Sequence, residues 1–127
     1  MNKVFRHRAE SRDQYLGHVD QAGIIFETRL GPDTEVGRVD LETGRIYETR
    51  TGATICVGYV DLENHKVYRL MADEQELVGK VEPDGALILH KPLAPDEYVG
   101  RVAEMYSVVH AAGGFLLLVL PVLGDHT

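Results

Sequence analysis

The chain carries a single cysteine, Cys56, which excludes an internal disulfide framework and any multi-cysteine zinc site. Basic residues are few: 13 Lys+Arg stand against 20 Asp+Glu, a formal charge of −7. Binding to nucleic acid through phosphate neutralisation wants the opposite sign, so no nucleic-acid partner is expected. The opening residues, MNKVFRHR, hold no apolar run after their charges. They do not read as a secretory signal, and a cytoplasmic location is the expectation. His7, His18, His65, His90, His110 and His126 are scattered without ligand spacing, so neither a metal nor any other cofactor is expected. No nucleotide loop or nucleophile elbow occurs, and no catalytic residue is assigned. What is present is 127 residues, 44% hydrophobic and 26% charged, the balance of one globular domain with one core.

A repeat dominates that domain. The pattern aliphatic-Gly-x-Val-acid occurs around Gly17, Gly37, Gly58, Gly79 and Gly100, with Val19, Val39, Val60, Val81 and Val102 two residues further on. The acids are Asp20, Asp40, Asp61 and Glu82; Ala103 replaces the last. Each of the first four copies continues through a short polar stretch, carrying Gly23, Gly44, His65 or Gly85, into a β-favouring run such as Arg45-Ile46-Tyr47. Two such runs around a glycine-containing turn predict a β-hairpin. The linkers repeat as well, Glu27-Thr28-Arg29-Leu30-Gly31 matching Glu48-Thr49-Arg50-Thr51-Gly52. Residues 3–102 therefore read as hairpin repeats of about 21 residues.

The two ends complement one another. Lys3-Val4-Phe5-Arg6 resembles Lys66-Val67-Tyr68-Arg69, a second strand without a first, and the copy at Gly100 is a first strand without a second. Pairing them would close the array from N- to C-terminal strand and remove exposed sheet edges. The two-residue period puts each repeat glycine and its valine on one face, joined there by Val4, Ile25, Ile46, Val67 and Leu87. The opposite face carries Phe5, Phe26, Tyr47, Tyr68 and Ile88 beside charges, where an Arg over a Tyr would form a structural cation–π contact. The regular acids read as turn and strand-end residues, able at most to crowd on one rim and hold a cation weakly.

Residues 103–123 form a hydrophobic C-terminal segment. Its apolar run, Phe115-Leu116-Leu117-Leu118-Val119-Leu120, belongs in protein or in lipid. A ring of about ten short strands is too wide for small side chains alone, and a helix through the middle is a known solution. The expectation is a helix over about 105–120 buried in the hairpin ring, with the end around 115–123 projecting as an apolar patch. Two alternatives stay open: a membrane span, and a strand after a helix ended by Gly113-Gly114. His110, within this segment, is the one candidate site residue, and a satisfied core histidine is the plainer reading.

The Gly-x-Val-Asp…Gly-x-Ile-Tyr unit, clearest over residues 37–47, resembles the small bacterial β-flower domains, four- or five-fold flowers of β-hairpins. The resemblance covers residues 3–103. Departures are His65 at a turn-glycine position, Ala103 at an acid position, and the longer linker over 91–98. It implies the mainly β fold and carries over no site residues; proteins of this kind also occur as products of mobile gene cassettes. The functional expectation is a non-enzymatic structural or protein-interaction module that self-associates or binds a protein partner. The alternatives are a small-ligand binder at a barrel mouth near His110 and a membrane-associated protein using the apolar segment.

Overall fold

The computed structural model of the protein describes residues 2–29 and 31–123. Leu30 of the repeated linker and His126 lie outside the described residues. Ten strands run β1 (Lys3–Arg6), β2 (Gln14–Val19), β3 (Ile24–Glu27), β4 (Thr34–Val39), β5 (Arg45–Arg50), β6 (Ala53–Val60), β7 (Lys66–Leu70), β8 (Gln75–Val81), β9 (Ala86–Leu89) and β10 (Glu97–Ala103). They form a closed antiparallel barrel in which sequence neighbours pair and β1 closes against β10. Val4 lies opposite Val102 and Phe5 opposite Arg101, the closure that the complementary half-copies at the two ends predict.

One feature of the wall departs from simple alternation. Between β1 and β2, Val4 faces Gly17 but Phe5 faces Tyr15, so Leu16 has no partner. The same shift leaves Val36, Val57, Val78 and Val99 unopposed in their strands. Strict alternation would turn the residue before each repeat glycine outward. The bulge turns it inward instead: Leu16, Val78 and Val99 are buried, and Val36 and Val57 pack on the core. A bulge also bends its strand and raises local twist, which is what a sheet of short strands needs to curl shut.

The barrel is filled by the C-terminal segment. A helix, α1 (Val108–Gly114), continues through a wider π-helical stretch (Phe115–Val119) into α2 (Leu120–Leu123). The widening is real hydrogen bonding: the Phe115 N–H donates to the Ala111 and Ala112 carbonyls, whereas the Leu120 N–H reaches back five residues to Phe115. Phe115, Leu116, Leu118 and Val119 are buried among Val4, Val19, Ile25, Ile46, Val67 and Leu87.

Two expectations need correction, and one alternative falls away. The helix starts at Val108, not 105, because Ser107 caps it by accepting the His110 N–H. Gly113 and Gly114 do not end it, so no strand follows. They let it lie against the wall, since a Cβ on Gly114 would sit 2.6 Å from Val4 Cγ2 and one on Gly113 2.9 Å from Ile25 Cδ1. And the exposed end is shorter than 115–123: Phe115 is wholly buried, and exposure begins with Leu117 and Leu120. Among the described residues, no helix is long and apolar enough to cross a membrane.

Candidate interaction surface

The barrel has two unlike rims. One carries the hairpin turns, the other the linkers between hairpins.

At the turn rim, the repeat aspartates serve as turn acceptors, whereas Glu82 pairs with Lys80. Asp40 Oδ1 accepts the N–H groups of Glu42 and Thr43, and Asp61 Oδ1 those of Glu63 and Asn64. These bonds hold both carboxyls below the usual carboxylate range. The valine N–H groups of Val39, Val60, Val81 and Val102 donate to the carbonyls of Gly23, Gly44, His65 and Gly85. All four acceptor residues have positive φ. Val19 donates in the same way to Asn2, which has φ 50. Asn2 thus takes the turn-glycine place beside β1, and its left-handed conformation is one that Asn tolerates. It is fully buried, its Oδ1 accepts the Tyr106 N–H at 3.0 Å, and its own N–H donates to the Glu104 carbonyl.

His110 is buried beneath this rim. Its Nε2 lies 3.0 Å from the Gln21 carbonyl and its Nδ1 2.7 Å from Ser107 Oγ. A carbonyl only accepts, so Nε2 carries the hydrogen and Nδ1 accepts from the Ser107 hydroxyl. Both ring nitrogens are taken within the protein, and the ring meets Tyr106 edge-on at 5.3 Å. The arrangement ties the helix start to the first turn; it leaves no free imidazole for a ligand. Among the described residues, no group of three or more His, Cys, Asp or Glu side chains could hold a metal ion.

The repeat residues pack within the wall and against the helix. Gly37 and Gly58 leave inner-wall room that Leu117 and Leu116 occupy, since their Cδ atoms stand 2.4 and 2.5 Å from where a Cβ would be. Val19, Val39, Val60, Val81 and Val102 are buried around the helix. On the outer wall, Arg38 covers Tyr47 at 5.1 Å, Arg101 covers Phe5 at 4.2 Å, and Tyr59 stacks on Tyr68. Those rings are already covered by neighbours, so the belt is packing.

The linker rim differs. There the helix leaves the barrel, and Leu120, Pro121 and Leu123 are not enclosed. A groove of about 400 Å³ runs between this end and β5–β7, walled by Val57, Leu70, Leu117, Leu120 and Pro121. Two further grooves of about 320 and 370 Å³ continue around the helix end and share Leu123. Several of the charges that line them are paired within the chain: Arg50 with Glu48, Arg69 with Glu76, and Lys91 with Glu97 at 2.6 Å. Above the rim stands Leu93, 100% exposed, on the linker between β9 and β10. Pro92 and Pro95 bracket it, and Asp96 Oδ1 accepts the Lys91 N–H and lies 3.2 Å from His90 Nδ1.

Sequence reasoning found the apolar helix end but not Leu70, Arg69, Leu93 or Asn2. The signal for Leu93 was a leucine between two prolines in one of the two longest linkers; that for Asn2 was its register with the turn glycines. No protein-family model matches the chain, and neither the curated proteins nor the solved structures gave a match.

Proposed function

We propose that the protein is a non-enzymatic interaction module, self-associating or bound to a protein partner, that docks through its linker rim. The carrying observation is the helix that fills the barrel and emerges there as an unenclosed apolar end ringed by grooves. A core element that continues into solvent is the kind of patch a partner covers. In this reading the wall is a five-fold array of β-hairpins of the β-flower kind, the fifth hairpin being made from β1 and β10. That assignment rests on the repeated motif, the five equivalent bulges and the place of Asn2. The turn rim, lined by Asp20, Asp40, Asp61 and Glu82, disfavours nucleic acid, and the cytoplasm is the proposed location.

The test is chemical cross-linking in an extract of cells expressing the full chain. Links should concentrate at Lys91 on the linker rim. Links confined to Lys3 and Lys66 on the turn side would refute the docking face. The groove volume, within the range of small-molecule sites, favours a second reading as an apolar-ligand binder. A ligand-dependent rise in melting temperature of the purified protein would reveal it.

A further inference from the structure

We infer that the groove of about 370 Å³ between β1 and β9–β10 binds an amphipathic carboxylate, a free fatty acid of medium chain length, whose carboxylate is held by Arg6. This rests on the ligand-binding reading and names the groove and the chemistry of its ligand; the docking reading does not depend on it. Arg6, Glu27, Glu48, Arg69 and Leu89 each follow the large outer-face residue of their strand, so alternation turns them inward at the linker rim. Among the charged members of this ring, Glu27 holds Arg29 at 2.8 Å, Glu48 holds Arg50, and Arg69 holds Glu76. Arg6 is the exception. It is half-buried, and among the described residues its guanidinium has neither a hydrogen bond nor an ion pair.

The register explains the exception. Arg69 faces Glu76 across β7 and β8, whereas the equivalent partner of Arg6 across β1 and β2 is the neutral Gln14. On its other side Arg6 faces Gly100, which has no side chain. The other charges of the groove, Lys91 and Glu97, satisfy each other at 2.6 Å, and His7 Nδ1 lies against Asp13. One cation is therefore left over in a groove that Leu89, Val99 and Leu123 make apolar. A guanidinium takes a carboxylate through two parallel hydrogen bonds. An alkyl carboxylate supplies that anion and covers the apolar side chains with one molecule, in a volume typical of small-molecule sites. A single negative charge matches the single free cation; a phosphate dianion would leave its second charge unmet beside Glu97.

Isothermal titration calorimetry of the purified full chain with decanoate at neutral pH tests this, with decanol as the uncharged counterpart. Decanoate should bind, and decanol should bind about tenfold or more weakly. Arg6→Gln should lower decanoate affinity by a similar factor with an unchanged melting temperature, because the guanidinium makes no bond in the free protein. Arg50→Gln, in the groove beside β5–β7, should bind decanoate as the wild type does. Decanoate bound equally well by Arg6→Gln, or lost in Arg50→Gln instead, overturns the inference. Decanol bound as tightly as decanoate also overturns it and leaves the ligand-binding reading standing. Binding of neither compound would remove both.

Discussion

Gly58→Ala probes a tight joint between wall and helix. A Cβ there would stand 2.3 Å from the Tyr68 carbonyl oxygen and 2.5 Å from Leu116 Cδ2, where ordinary contact begins near 3.4 Å. Strand β7 must retreat by about 1 Å and Leu116 must also give way, and each is held by packing on its far side. Overpacking of this kind costs roughly 1–3 kcal/mol, and with main chain on one side the upper figure, about 3 kcal/mol, applies. At about 4 °C per kcal/mol for a domain of this size, the melting temperature should fall by about 12 °C. Gly52→Ala is the control. Nothing lies within 4 Å of its Cβ and only the φ of +74 is strained, so about 1 kcal/mol is expected. Thermal and urea unfolding followed by circular dichroism measures both. A Gly58→Ala protein no less stable than Gly52→Ala would refute the argument that these glycines exist to admit the paired strand and the helix.

Other perturbations address the seam, the charges and the filling. Asn2→Ala loses the acceptor of the Tyr106 N–H and keeps a positive φ, so it should cost about 2 kcal/mol in urea unfolding, and Asn2→Gly less; an equal cost for both would contradict the conformational part. Four carboxyls sit below their usual range: Asp13 through its hydrogen bond from Arg101, Asp40 and Asp61 through backbone N–H groups, and Glu104 through Lys3. Because folding depresses these values, their stabilisation is complete above the unfolded value near about pH 4 and is lost as pH falls through the folded ones. The melting temperature should therefore drop below about pH 4, less steeply for Asp13→Asn than for wild type; identical slopes would refute the Asp13 contribution. Truncation after Ala103 should give aggregated or loosely packed protein by light scattering, and a folded monomer would show that the helix is dispensable.

Much of this architecture was legible because it rests on local rules. Gly-x-Val spacing set the inner face, and the half-copies at the two ends announced that β1 completes the wall. What escaped reading depended on exceptions to those rules. The bulges at Leu16, Val36, Val57, Val78 and Val99 break the two-residue period, which alone would have placed those side chains outside. Asn2 escaped because the turn position was sought as glycine, although Asn also adopts left-handed backbone. The helix start followed a side-chain cap at Ser107 and not the apolar pattern. The groove beside Leu70 brings together residues from three strands and a helix, a proximity no single stretch of sequence encodes.

The central claim is that the apolar segment is the interior of the barrel and that only its last turn is available to a partner. Native-state amide hydrogen exchange tests this most directly. The amides of residues 111–116 can open only when the helix leaves a closed ring, so they should exchange by global unfolding and rank among the slowest in the molecule, with those of 121–123 faster. Exchange across 111–116 as fast as that of the exposed loop at 90–96 would contradict it, and would mean that the barrel stands without the helix inside.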